Sequence, residues 1–369
     1  MSINILNKMF NSVLEESLKE KLEKGEVIDD KKLEEIIEGI YSDESLEKYT
    51  EPIFSSLNNI KSTMIEDNRL LELEFESRLQ RRWMEAFHNL YAIIQIAEET
   101  GMDIIDDYLE KNNHNSKQVI KIPISFDVLI KLFAKSVVNG KEIYLLLKSG
   151  YADGAISRWR SIHETSVFFR ILTSKYSDER FTEELIQRFY DYSIIENYKE
   201  YIKINRDKCS EEYYSIKKEY QKVLNTYGEN FRKPYSWVKP LLPNKHKIFF
   251  GDLERLAELD TLNIYYQQSN YQIHTSPTGL YNSLGFIKDH PGGKIGAIFG
   301  PSNYGLSIPG QLTAISLMQI TSSLLLLEPN LDKLVRIKIL QKFVNKVQKD
   351  FDRIQNEIED EEYDIFKNS

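Results

Sequence analysis

The chain has 369 residues, of which 41% are hydrophobic and 28% charged, a composition typical of a globular protein with a sizeable core. Its one cysteine, Cys209, excludes a disulfide framework and a cysteine-based metal cluster. The most apolar window, residues 314–327, is interrupted by polar residues and is too short to span a bilayer. Because MSINILNKMF lacks a signal-peptide pattern, the sequence predicts a cytoplasmic protein that does not associate with membranes.

The net charge of −9 is concentrated at the two ends. Residues 1–66 hold 15 acidic and 8 basic residues, a net of −7, and residues 350–369 hold 8 acidic and 2 basic residues, a net of −6. The body between them is therefore mildly basic, at +4. This charge is compatible with RNA as a partner, although it is far below that of a typical nucleic-acid surface. The acidic N-terminal helices are candidates for binding a protein partner.

Nearly every segment has the period of an amphipathic helix, which predicts an all-α multi-helix bundle. Two acidic helices over residues 3–24 and 30–40 precede a long helix over 67–100, with Gly101 as its C-cap. The polar run 111–117 is predicted to be a linker. Helices over 124–149 and 151–175 then form a hairpin around Gly150, and further helices are predicted over 178–206 and 210–227.

The second half of the chain contains the predicted irregular segments. Residues 228–250 form a long loop whose basic and aromatic residues suit either single-stranded nucleic acid or, as we favour, packing over a helical core. Helices follow over 253–259, 262–274, 311–327 and 331–359, and a Gly-rich hairpin or extended segment is predicted near 288–309. The predicted regions are 1–66 (acidic, helical), 67–330 (central helical domain) and 331–369 (C-terminal helix and acidic tail).

The predicted helix 151–175 is apolar on nearly all faces, so we expect it to be buried at the centre of the bundle. Trp159 and His163 lie on one side of its helical wheel. Small residues line the opposite side, where another helix could approach closely: Gly154, Ser157, Ser161 and Thr165. The ionisable residues in the middle of this helix need partners if they are buried.

Arg160 and Glu164 are four residues apart and can pair along one flank of that helix. The pair could serve a site or could simply fix the helix register, since burying such a pair is rarely a net stabiliser. His274, in YQIHTSP, lies at the end of its helix, where an imidazole can act as a general acid or base or as a cap. A site requires His274 to come within reach of Arg160 and Glu164 in an accessible cleft.

Arg158 and His163 fit the R-x4–6-H pattern and so resemble the motif of the HEPN ribonucleases. In that all-helical family an Arg and a His act on the RNA backbone without metal, usually across a dimer interface. The resemblance implies RNA as substrate and a homodimer. On a regular helix, however, side chains five residues apart point about 140° away from each other, so these two converge only if the helix kinks.

A longer resemblance covers residues 70–330. FESRLQRRWMEAFHNLYAIIQIAEETG, SGYADGAISRWRSIHETSVFFRIL and SNYQIHTSPTG are similar to the landmarks of a bacterial family of helical proteins of unknown function. Carried over to this chain, the landmarks are Arg82-Trp83, Arg160 with Glu164, and His274 with Ser276. The family supplies no established activity, although such helical families recur in mobile and phage-defence settings.

Two functional hypotheses follow. The first is a HEPN-like, metal-independent ribonuclease, a toxin or phage-defence effector. In it, Arg160 or Arg158 would stabilise the phosphate and His274 or His163 would move the proton. Glu164 would orient one of these side chains. The alternative is a non-enzymatic interaction or sensor module in which the Arg160–Glu164 pair is structural. We predict no cofactor and no metal site, because the other histidines have no metal-ligand spacing.

Overall fold

A computed structural model describes residues 3–112, 122–204, 210–274, 276–285 and 298–368. Over these ranges the protein is all-α, with thirteen α-helices, three short 3₁₀ helices and no strand, which confirms the predicted fold class. None of these helices is long and apolar enough to cross a membrane. The chain divides into two compact units, Met1–Phe75 and Glu76–Ser369. The three-part division based on charge stays a prediction.

The first unit contains α1 (Ile3–Glu23), α2 (Asp30–Ile40) and most of α3 (Asp43–Arg82). The side chain of Asp29 caps α2 by accepting a hydrogen bond from the backbone N–H of Lys32 at 2.9 Å. α1 packs against α2, and Ile36 and Ile40 of α2 are buried. Two acidic helices were expected here, whereas the N-terminal half of α3 was not.

The second unit is a bundle built around one central helix. Its helices are α4 (Met84–Asn112), α5 (Ile124–Lys148), α6 (Ala152–Thr173), α7 (Glu179–Ile204), α8 (Glu211–Tyr227), α9 (Phe250–Leu256), α10 (Asn263–Ile273), α11 (Pro277–Tyr281), α12 (Ser307–Leu325) and α13 (Leu331–Asn368). The 3₁₀ helices are Glu229–Arg232, Ser236–Leu241 and Asp260–Leu262. α6 packs against α5, α7, α9, α10 and α12, while α13 lies along α4 and α12. The prediction that the apolar helix 151–175 is central is confirmed.

The two sides of α6 contact different neighbours. Trp159 is fully buried, and its indole N–H lies 3.1 Å from both the carbonyl of Leu312 and the hydroxyl of Ser316 on α12. On the small-residue side, Leu146 of α5 approaches Gly154 so closely that a Cβ there would lie 3.3 Å from a Leu146 methyl carbon. The predicted close helix approach is therefore confirmed, and the approaching helix is α5.

Gly101 is not the C-cap that the sequence suggested. α4 continues to Asn112, and Gly101 is buried within it. A Cβ at Gly101 would lie 2.9 Å from Cε1 of Phe133 on α5. The glycine therefore allows two helices to pack closely, a function that a single sequence cannot distinguish from helix termination.

The long loop after α8 packs over the core, as we favoured. Phe231, Trp237 and Val238 are buried in the main hydrophobic cluster together with residues of α6 and α7. Trp237 lies edge-on to Phe168 of α6, with ring centroids 5.7 Å apart. These rings are consequently not available to stack on nucleic-acid bases.

Three sequence predictions fall wholly or partly outside the described residues. These are the linker beyond Asn112, the end of the predicted helix 178–206 beyond Ile204, and the Gly-rich segment 288–309 up to residue 297. The described part of that segment, 298–306, is irregular without a strand, and α12 already begins at Ser307.

Gly310→Ala should destabilise the second unit by about 1–3 kcal/mol, because overpacking a filled core forces side chains to shift. A Cβ at Gly310 would overlap the ring of Phe351 on α13, whose Cε1 would lie 2.7 Å away, and Phe351 is fully buried. Urea denaturation followed by circular dichroism measures the change. Gly154→Ala is the matched control with a smaller expected effect, since only the flexible end of Leu146 is near. Equal losses for the two variants would contradict the prediction.

Candidate functional site

Polar side chains from α6, α9 and α10 meet along one flank of α6. α10 contributes Asn263, Tyr266 and Asn270, which are spaced three and four residues apart and therefore lie on one face of that helix. All three make side-chain hydrogen bonds to α6 or α9. The resulting cluster joins the central helix to α9 and α10.

Arg160 is held by three different groups. Its Nε donates to Oε1 of Glu164 at 2.9 Å, and its Nη1 donates to Oδ1 of Asn270. Its guanidinium carbon lies 4.7 Å from the ring centroid of Tyr266, within the range of a cation–π contact. The predicted Arg160–Glu164 pair is thus confirmed. Because the Arg160 side chain remains 26% exposed, the arrangement presents a fixed cation at the surface.

Tyr266 donates a second hydrogen bond to the carboxylate of Glu164. Its hydroxyl donates to Oε1 of Glu164 at 2.6 Å. Burial raises the pKa of Tyr266, and the hydrogen bond to Glu164 raises it further, so the phenol keeps its proton at neutral pH. Burial alone would lower the pKa of Arg160, but Tyr266 and Glu164 together outweigh it and raise that pKa. Arg160 therefore stays charged, and Glu164 accepts hydrogen bonds from both neighbours.

His163 occupies a sealed position next to this cluster. Its Nε2 lies 2.8 Å from Oε1 of Glu254 on α9, and both side chains are fully buried. The other Glu254 oxygen accepts from the side-chain amide of Asn263. Nδ1 of His163 has no hydrogen-bond partner among the described residues. The imidazole is packed in the core without exposure to solvent, so this position gives no support to the predicted role of His163 in proton transfer.

Arg158 points to a different part of the bundle. Its Nε donates to the carboxylate of Glu142 on α5, whereas His163 pairs with Glu254 on α9. Both residues lie within one continuous α-helix, and regular helix geometry points side chains five residues apart in different directions. The structure therefore gives no support to a site formed by Arg158 and His163 on this helix.

His274 is the C-terminal flanking residue of α10. Its backbone N–H donates to the carbonyl of Asn270 at 2.9 Å, while its side chain is exposed and makes no hydrogen bond or ion pair with a described residue. His274 follows Asn270 by four residues and has an extended backbone, so it is no longer part of the helix. Its side chain makes no hydrogen bond to the Arg160–Asn270 contact. The hydroxyl of Ser276 caps α11 by accepting from the N–H of Gly279.

Two of the larger cavities lie away from these residues. One of about 520 Å³ lies among α4, α5, α7 and the turn after α12, and one of about 680 Å³ lies between α12 and α13. Neither is lined by Arg160, Glu164 or His274. Neither cavity is the predicted shared cleft, so these two cavities give no support to a site at Arg160, Glu164 and His274.

Four members of the cluster were missed by reading the sequence: Glu254, Asn263, Tyr266 and Asn270. Tyr266 lies 102 residues after Glu164, and Asn270 lies 110 residues after Arg160. The one local signal was the polar stripe of α10, which continues to His274. Nothing in a single sequence connects that stripe to α6.

Tyr266→Phe should lower the free energy of unfolding by about 1.5–3 kcal/mol, the usual contribution of a hydrogen bond to a charged group. The substitution removes the hydroxyl that donates to Glu164 and leaves the ring against Arg160. Urea denaturation measures the loss. Tyr265→Phe is the adjacent control, since the Tyr265 hydroxyl has no hydrogen bond to a described residue, and it should change stability by less than about 0.5 kcal/mol. A Tyr266→Phe protein as stable as the wild type would contradict the described geometry.

Comparison with known proteins supports part of the sequence analysis. Residues 126–293, less than half of the chain, are similar to a family of unknown function (DUF5677). The matched range contains Arg160, Glu164, His274 and Ser276, but not Arg82-Trp83. The resemblance to a helical family of unknown function is thereby supported, whereas the HEPN resemblance is not. Neither the curated proteins nor the solved structures gave a match to this chain.

Proposed function

We propose that this protein cleaves RNA without a metal ion, at an open surface site formed by Arg160 and His274. One observation carries the proposal. A partly exposed guanidinium is fixed by Glu164, Asn270 and Tyr266, and the exposed imidazole of His274, which has no hydrogen bond or ion pair with a described residue, follows Asn270 by four residues at the end of α10. A fixed cation beside a free proton acceptor suits phosphodiester cleavage.

In the proposed reaction, Arg160 binds the non-bridging oxygens of the scissile phosphate. Its Nη2 is available because Nε and Nη1 carry the hydrogen bonds to described residues. His274 accepts the proton of the ribose 2′-hydroxyl while the 2′-oxygen forms a bond to phosphorus. The bond from phosphorus to the 5′-oxygen breaks, and that oxygen takes a proton from the imidazolium. The products are a 2′,3′-cyclic phosphate and a 5′-hydroxyl end.

Glu164, Tyr266 and Asn270 act as positioning residues in this proposal. They hold the guanidinium before substrate binds, which reduces the reorganisation needed in the transition state. The biological setting we propose is that of a toxin or phage-defence effector. Expression of the wild-type protein in bacteria should then slow growth and fragment cellular RNA, and Arg160→Ala should abolish both effects. Unchanged growth and intact RNA under every inducing condition would count against the proposal.

A non-enzymatic interaction or sensor module is the second candidate. It is favoured because the hydrogen bonds of Arg160 and Glu164 also hold helices together. Two Arg160 nitrogens are already hydrogen bonded to protein groups, and the cluster joins α6 to α10. This candidate predicts that Arg160→Ala lowers the melting temperature and changes no activity. Arg160→Lys separates the two candidates, because it keeps the charge but cannot reproduce the fork of hydrogen bonds. Reduced RNA cleavage by a folded Arg160→Lys protein supports the enzyme, whereas destabilisation alone supports the module.

A further inference from the structure

The N-terminal unit carries an apolar stripe along α3 that is exposed to solvent. The stripe follows a repeat of three and four residues at eight positions, six of them apolar (Leu46, Ile53, Leu57, Ile60, Met64 and Leu71) and two polar (Thr50 and Asp67). Its exposed members are among the largest apolar side chains on this part of the surface. Leu57 is 42% exposed, Ile60 48%, Met64 50% and Leu71 66%. Among the described residues of this unit, neither α1 nor α2 makes extensive contact with the helix.

A spacing that averages 3.5 residues has a specific structural meaning. It keeps apolar side chains on one seam only when two helices wind around each other as a coiled coil. The stripe runs over 26 residues, from Leu46 to Leu71, or about 39 Å of helix, which is close to the four heptads typical of such a seam. Pro52 falls on the outer side of this pattern, so it does not interrupt the seam. The partner of the stripe is therefore another helix with the same period.

Charge identifies the partner as a second copy of α3. The first 66 residues have a net charge of −7, which opposes self-association, but the stretch from Leu46 to Leu71 holds four acidic and three basic residues. Two copies of this near-neutral stretch can approach each other with little repulsion. A symmetric pair also places the same apolar patch on both sides of the contact, as in the two-fold dimers that dominate protein oligomers.

Asp67 determines the relative direction of the two helices. In a parallel pair in register, Asp67 would face Asp67 of the second copy, and two carboxylates would meet in an apolar seam. In an antiparallel pair centred between Ile60 and Met64, Asp67 instead faces Leu57 of the second copy. Lys61 lies four residues after Leu57 on the same side of the helix and is then the cation that can neutralise Asp67.

We infer that the protein forms a homodimer through an antiparallel coiled coil of α3, centred between Ile60 and Met64. This interaction is independent of the proposed RNA cleavage, because the seam lies in the N-terminal unit and the candidate site lies in the second unit. Each monomer has a mass of 43.3 kDa, so the dimer has twice that mass. The acidic N-terminal region that the sequence marked for partner binding then uses a nearly neutral stretch for this contact.

Light scattering coupled to size-exclusion chromatography of the full chain tests this inference. The wild type should have the dimer mass, and Ile60→Asp/Met64→Asp should have the monomer mass. Ser55→Asp/Ser62→Asp adds the same charge on the outer side of α3 and should remain dimeric. Helical content by circular dichroism that is equal in the two variants shows that α3 remains folded in both. A monomeric wild type, or a dimer that survives the Ile60→Asp/Met64→Asp substitutions, would overturn the inference.

A charge exchange tests the direction of the helices. Lys61→Glu alone and Asp67→Lys alone should each weaken the dimer at low salt, since each change leaves two like charges facing one another across an antiparallel seam. The combined Lys61→Glu/Asp67→Lys variant should recover the wild-type dissociation constant, measured by sedimentation equilibrium. Failure of the combined variant to recover dimerisation would overturn the antiparallel arrangement.

Discussion

Glu254→Leu should lower the free energy of unfolding by about 3–5 kcal/mol, the usual consequence of removing one member of a buried polar pair. Glu254 and His163 are both fully buried and lie 2.8 Å apart. Without the carboxylate, His163 would have neither ring nitrogen hydrogen bonded, because Nδ1 already lacks a partner among the described residues. The side-chain amide of Asn263 would lose its acceptor as well. Urea denaturation followed by circular dichroism measures the loss.

The double variant His163→Phe/Glu254→Leu is the control that identifies the cause. Replacing both members with apolar groups removes the unpaired imidazole, and such replacements of buried pairs are often close to neutral. We therefore expect the double variant to be more stable than Glu254→Leu alone. A loss of less than about 1 kcal/mol in the free energy of unfolding of Glu254→Leu would contradict this account of the pair. So would a double variant whose loss equals the sum of the losses of Glu254→Leu and His163→Phe measured singly.

His274→Ala should reduce the rate of RNA cleavage by about 10²–10⁴-fold, the contribution expected of a general acid–base residue. The imidazole is exposed and unpartnered, so its removal should leave stability within about 0.5 kcal/mol of the wild type. A large effect on rate without an effect on folding is the combination that a structural residue would not produce. Single-turnover kinetics with a labelled single-stranded RNA measure the rate.

His246→Ala is the matched control for that experiment. His246 is also exposed, but it lies in the loop before α9 and is no part of the proposed site. Arg158→Ala is the corresponding control for Arg160, because Arg158 belongs to the same helix and pairs with Glu142 on another side. Both controls should cleave RNA at the wild-type rate. If His246→Ala and His274→Ala lose activity equally, the assignment of His274 is wrong.

Most of the fold could be predicted from the sequence, because helical periodicity and burial produce patterns of apolar residues within short segments. The helix 151–175 is apolar on nearly all faces, which predicted the central position of α6. The four-residue spacing of Arg160 and Glu164 predicted their pairing. Gly101 was misjudged for a physical reason: a glycine that ends a helix and one that admits Phe133 of a neighbouring helix look identical in one sequence.

The candidate site was only partly accessible, because its contacts join distant parts of the chain. Arg160 and Glu164 are neighbours on one helix, but Glu254 lies 91 residues from its partner His163, and Asn270 lies 110 residues from Arg160. The sequence could identify ionisable residues that need partners without identifying those partners. It also could not separate His163, sealed in the core, from His274, exposed at the end of α10. Tertiary packing assigns these two histidines to different roles.

The chemical identity of the RNA ends tests the central claim most directly. Purified full-length protein should be incubated with single-stranded RNA in the presence of EDTA, and the products should be analysed by mass spectrometry. Attack by the 2′-oxygen predicts 2′,3′-cyclic phosphate and 5′-hydroxyl ends, and no cleavage of a DNA strand of the same sequence. RNA that stays intact, or products with 5′-phosphate ends, would contradict the proposed reaction at Arg160 and His274.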